Sequence, residues 1–169
     1  MKKVYLFLSL VFVCFAYGQK KPQPLVILDA KKIGYMNEVQ NILEPINPND
    51  ISTMTVYKDA NSKKYGSDSG VIIITTKKFI LDTFYKNNIE NSPLKLEIPS
   101  AEYLSKIGVV SDKPKSKNQT YDELLRYIDT NTINNKIEKI ESIVFIKPAD
   151  SQKLNPDWKF GAIEITPAE

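Results

Sequence analysis

The run Val71-Ile72-Ile73-Ile74 constrains this chain more than any other stretch. Four consecutive aliphatic residues turn apolar side chains to both sides of an extended backbone, so their strand must lie inside a sheet covered on both faces. Gly70 leads into the run and Thr75-Thr76-Lys77 closes it. Upstream, Ile51, Thr53, Thr55 and Tyr57 alternate with Ser52, Met54, Val56 and Lys58, and the pattern predicts a strand over 53–58. The polar segment between the two strands predicts a short helical turn. Asp59 is placed to cap it, and Gly66 to end it in the left-handed conformation.

The remaining elements follow from the same periodicities. Leu25-Val26-Ile27-Leu28, after the extended Pro22-Gln23-Pro24, reads as a buried strand ending at Asp29. Met36, Val39, Ile42 and Leu43 recur at helical spacing before Pro45, and Pro48 suits a first helical position. Residues 80–88 read as a helix that pairs Ile80 with Phe84 and Leu81 with Tyr85. Pro93 closes that connection. Leu94-Lys95-Leu96-Glu97-Ile98 alternates like a strand, and Ser100 is placed to cap a short helix ending at Gly108. Residues 111–119 form a polar loop without an apolar anchor. Thr120-x-x-Glu123 has the form of a capping box, opening a helix with Tyr121, Leu124, Leu125 and Ile128 on one face.

The C-terminal part echoes the first strands. Residues 140–153 (IESIVFIKPADSQK) align without a gap on 51–64 (ISTMTVYKDANSKK), and 161–166 (GAIEIT) on 70–75 (GVIIIT) after a two-residue slip. Tyr121, Leu124 and Ile128 stand opposite Met36, Val39 and Leu43. A spacing of about 90 residues is too long for a solenoid unit, so the expectation is one α+β module, β-α-β-β, used twice in tandem. Glu164 takes the place of Ile73, so the second module's last strand should have one wet face or lie at an edge.

The N-terminus bears on compartment. Lys2 and Lys3, the apolar stretch 4–15 and Ala16-Tyr17-Gly18 have the form of a secretory signal peptide cut after Gly18. About a dozen apolar residues are too few to cross a bilayer, which needs about 20. A lipoprotein reading would acylate Cys14 instead. Cleavage after Gly18 removes the chain's one cysteine, and with it any disulfide, thiol nucleophile or thiolate site. It also removes two of the 23 basic residues and none of the 20 acidic ones, taking the formal charge from +3 to +1. With Arg126 as the one arginine, charge gives little support to nucleic-acid binding. The expected organisation is a leader over 1–18, a first module over 19–79, a helical connection over 80–92 and a second module over 93–169. The expected location is the periplasm, in association with the outer membrane.

Read in order, Pro24-Leu25 with Asp29, Asp50-Ile51, Lys58-Asp59-Ala60, Tyr65-Gly66, Gly70-Val71 and Thr75-Thr76-Lys77 resemble the plug domain of TonB-dependent outer-membrane receptors, in particular the starch-utilisation-type branch. The landmarks cover about a third of the chain. Ala30 stands where that family has a glycine, and the stretch between Gly66 and Gly70 lacks its usual arginine. A plug of this family fills the lumen of its own barrel. Because no barrel sequence follows here and no energy-coupling box precedes the landmarks, the resemblance implies a stand-alone plug-like subunit.

Catalytic chemistry has little to build on. The sequence has no histidine, which removes the commonest general base and metal ligand, and no catalytic, cofactor-binding or metal-binding residue is expected. The carboxylate pairs Asp122/Glu123 and Glu138/Glu141 read as solvated surface. Gly66-Ser67-Asp68-Ser69-Gly70 lacks the lysine-bearing helix start of a phosphate-binding loop. The expected function is a non-enzymatic subunit that binds and closes the periplasmic side of a separate outer-membrane β-barrel, with the type IX secretion translocon as one candidate host. The alternative is a periplasmic ligand-binding or signalling module on the same fold. Either way the contact surface is expected on the two polar turns, at Lys63, Lys64, Tyr65, Ser67, Asp68, Lys153, Trp158 and Lys159.

Overall fold

The computed structural model describes residues 23–110 and 119–169; the expected leader and nearly all of the polar loop lie outside them. The first sheet has the order β2-β1-β4-β3, built from β1 (Leu25–Leu28), β2 (Lys31–Tyr35), β3 (Ile51–Tyr57) and β4 (Val71–Thr76). β1 runs parallel to β4, and β2 and β3 run antiparallel to their neighbours. The all-apolar β4 is therefore internal, as its two-faced pattern requires. Two short helices attach to this sheet, α1 (Gln40–Leu43) and α2 (Asp59–Lys63), the second spanning the turn between β3 and β4.

The second sheet has the order β5-β7-β6, from β5 (Gly108–Val110), β6 (Ile140–Ile146) and β7 (Ala162–Pro167). Its three strands pair as three of the first sheet's four do. β5 is parallel to β7 as β1 is to β4, and β6 is antiparallel to β7 as β3 is to β4. Register agrees as well: Tyr57 faces Val71 where Ile146 faces Ala162, and each outer strand slips near its start, between Ile51 and Thr53 and between Ile140 and Ser142. α5 (Pro148–Leu154) occupies the place of α2. The fourth strand, β2, has no counterpart among the described residues. The fold is α+β, with two small sheets and five α-helices among the described residues.

The long helix α3 (Lys77–Asn88) starts where β4 stops, because the Thr76 hydroxyl accepts the Phe79 amide. Its apolar face, Ile80, Leu81, Phe84 and Tyr85, packs with Leu124 and Ile128 against Val109, Ile163 and Ile165 of the second sheet. Leu124 belongs to α4 (Gln119–Leu125). The first sheet has two smaller cores instead. Val26, Val39 and Ile74 lie on one face, while Leu25, Ile27, Tyr57, Val71 and Ile73 lie on the other. A side-chain amide joins the two parts, since Asn131 donates to the Ala30 carbonyl.

Several expectations need correction. Residues 94–98 are not a strand. Ser92 caps a 3-10 helix over Pro93–Leu96, with Pro93 at its first position, and the Ile98 amide donates to the Leu94 carbonyl at 2.8 Å. Leu96 is 89% exposed, so the alternation of leucines there was not a buried face. The helix expected after Ser100 is a 3-10 turn, Ala101–Ser105, and Gly108 opens β5. The helical spacing from Met36 yields only the four residues of α1, and the charged, glycine-containing 31–35 forms β2. α4 begins before Thr120, so that residue is not a cap. β7 has the expected wet face, with Glu164 exposed, but lies at the centre of its sheet and not at an edge.

Candidate interaction surface

The two polar turns share a serine bond to the start of the helix and a glycine carbonyl that holds the neighbouring strand, and differ in a second serine bond. In the first, the buried Ser62 hydroxyl donates to the Asp59 carbonyl at 2.8 Å, closing the α2 turn. Asp59 itself takes a positive φ of 56°, and the residue before the helix is Lys58, whose side chain makes no capping bond; the expected Asp59 cap is absent. The buried Ser67 hydroxyl donates to the Gly70 carbonyl at 2.8 Å, and the same carbonyl accepts the Leu25 amide at 3.0 Å. Gly70 has φ +100°, and a Cβ there would come 3.3 Å from the Tyr57 carbonyl oxygen. This turn therefore anchors the start of β1 as well as the start of β4.

In the second turn, the buried Ser151 hydroxyl donates to the Trp158 carbonyl at 2.8 Å. The Gly161 carbonyl accepts the Gly108 amide at 2.9 Å, matching the Gly70–Leu25 bond. Gly161 has φ +104°, close to that of Gly70. Trp158 lies over Gly108, where an added Cβ would fall 2.1 Å from the indole Cδ2. By register Gly108 stands where the first sheet has Leu25. The indole thus fills the volume that a leucine side chain fills in the first sheet.

The eight expected contact residues divide accordingly. Ser67 is buried and serves the turn. Tyr65 is half-buried, its ring stacked on Tyr57 with centroids 5.7 Å apart, and its carbonyl accepts the Lys32 ammonium at 2.7 Å. Burial raises the pKa of its phenol, and the neighbouring Tyr57 adds to the shift. Trp158 is half-buried over Gly108. Lys63, Lys64, Asp68, Lys153 and Lys159 are exposed. Lys153 donates to Asp150 at 2.7 Å, and that bond holds the Asp150 carboxyl below its ordinary pKa. Two exposed apolar residues beside the second turn were not anticipated: Leu154 and Phe160, the latter in edge contact with Tyr103 at 6.3 Å. Their polar neighbours in sequence masked them.

The carboxylates of the second half also need revision. Glu123 is buried and pairs with Arg126, whose guanidinium also donates to Glu138 at 2.6 and 3.1 Å. These hydrogen bonds raise the arginine pKa further above its already high value. The one arginine is thus a clamp inside the second module. A cleft of about 320 Å³ beside it is lined by Val110, Tyr127, Glu164 and Thr166 together with this pair. Among the described residues, no group of three or more acidic, Cys or His residues could hold a metal, and no helix is long and apolar enough to cross a membrane.

A part of the chain is similar in sequence to a known protein. Over 60 residues the chain is 47% identical to the TonB-dependent receptor SusC of Bacteroides thetaiotaomicron. The matched part is 32% of this chain and 6% of the receptor, so the chain spans a small fraction of that relative. The likeness supports a plug-like relationship for that part. No family model matches the chain, and no solved structure matches it.

Proposed function

We propose that the chain is a non-enzymatic, plug-like interaction subunit that seats in the periplasmic mouth of an outer-membrane β-barrel carried by another polypeptide. The observation that carries this reading is the local identity to SusC, taken with the ordered landmarks that resemble a receptor plug. A wide barrel encloses a water-filled lumen, and a compact domain with polar, lysine-bearing turns is a suitable reversible stopper. Lys63, Lys64, Asp68, Lys153 and Lys159 would meet the barrel wall from exposed positions, each on a turn fixed by buried serine hydroxyls. A protein-export pore such as the type IX translocon is one host of the required kind.

Affinity purification from detergent-solubilised envelopes tests the reading. Recovery of a barrel protein is expected, with binding weakened by Lys63→Glu/Lys64→Glu. Single-channel recording should then show the recovered pore closing when the subunit is added. Recovery of no barrel, or a pore whose conductance ignores the subunit, would overturn the proposal. A small molecule retained by the purified protein would favour the ligand-binding alternative.

A further inference from the structure

The two sheets leave four strands at their edges, and three of them carry features that discourage pairing with another chain. β2 has Lys31, Lys32 and Gly34, with a slip in its pairing at Val26/Ile27. β5 is three residues long. β6 carries Glu141. β3 differs from all of these in composition, although it too slips near its start, between Ile51 and Thr53, and is regular from Thr53 to Tyr57. Its seven residues, ISTMTVY, contain no charge, no glycine and no proline, and among the described residues no other strand lies on its outer side.

β3 also bears apolar side chains without the cover that their counterparts have. Met54 and Val56 are 58% and 53% exposed. The same register positions in the second sheet hold Ile143 and Phe145, which pack against the core beneath α3. The first sheet has no equivalent of α3 on that face among the described residues. An uncharged edge of this length, with an apolar pair at its middle, is a template for strand addition.

We propose that β3 is a self-pairing edge, joining two copies of this chain antiparallel into one eight-stranded sheet across a two-fold axis. Charge complementarity selects a second copy as the occupant. Asp50 immediately precedes the strand, Lys58 immediately follows it, and both are exposed. Antiparallel pairing centred on Met54 brings Asp50 of each copy, at the end of the 3-10 turn Pro48–Asp50, to the end of the strand where Lys58 of the other lies, twice per dimer. Met54 meets its own symmetry mate, with Val56 of each copy on the diagonal. Such exposed ion pairs fix register more than they add affinity, while the paired backbone and the apolar cluster hold the copies together. The inference stands apart from the barrel reading.

Sedimentation equilibrium of the purified protein, from low micromolar to hundreds of micromolar, tests it. A monomer–dimer equilibrium is expected. Val56→Lys should raise the dimer dissociation constant by about tenfold or more, since it sets an ammonium on the pairing edge. Asp50→Lys and Lys58→Asp should each weaken the dimer, and the double exchange should restore it, because only self-pairing regains both ion pairs. All three sites are exposed, so unchanged thermal melting would show that the variants remain folded. A monomer at every concentration, a dimer indifferent to Val56→Lys, or a double exchange no better than the singles would each overturn the proposal.

Discussion

Asp29 ends β1, yet its carboxylate acts 47 residues further along the chain, accepting the Thr76 amide at 2.8 Å and the Thr76 hydroxyl at 2.9 Å. That hydroxyl in turn caps α3, so one acid ties the end of β1 to the β4–α3 junction. Asp29→Ala should cost about 2 kcal/mol, the usual penalty when charge-assisted bonds to a partly buried amide are lost, read as a lower urea midpoint at unchanged slope. Gly108→Val should cost more, at least about 3 kcal/mol, because its side chain must displace the Trp158 ring. Trp158 is the chain's one tryptophan, so its emission should shift to the red in any of that variant that folds. Asp29 shows why the landmarks of the first sheet were legible. Asp29, Gly70 and Thr76 each supply an atom or a conformation that a turn or junction uses. They speak for the fold. The landmarks say less about the exposed lysines, whose identities no internal bond dictates.

At the scale of elements, β1 and β4 could be read at their full length because continuous aliphatic runs have one economical solution. β2 could not. Two lysines and a glycine give it no apolar period, and it forms because the left-handed pair Asp29 and Ala30 turns the chain back along β1. The 94–98 segment failed in the opposite sense, since an alternating pattern formed without a sheet partner. Ser92 and Pro93 impose a 3-10 start there, and this local chemistry overrode the alternation. The Glu123–Arg126–Glu138 clamp was hidden because two of its members lie on one side of a loop and the third 12 residues beyond Arg126. It holds the end of α4 to the approach of β6, helped by the Glu138 amide donating to the Arg126 carbonyl at 2.9 Å. Arg126→Leu should destabilise by about 3 kcal/mol, because it leaves the buried Glu123 carboxylate without its cation. Thermal unfolding should show it, and Glu123→Gln in the same chain should recover part of the loss.

For the whole molecule, the paired segments 51–64 and 140–153 each begin on a strand that pairs antiparallel with its neighbour, in the same register in both sheets. The placement of α3 was not readable. Its sequence directly follows β4, but its apolar face completes the second core and leaves the first sheet with thinner cover. No periodicity within a helix names the sheet that will receive it. β1 has a further consequence. It lies between β2 and β4 and is hydrogen-bonded along both sides. Tension applied to its N-terminal end along the strand direction loads the two ladders in shear, so their bonds resist together instead of parting one after another. Tension across the strand would peel them singly. The first sheet is therefore mechanically anisotropic, stiff to an axial pull at the N-terminal end of β1 and weak to a sideways one, whatever the molecule it is joined to.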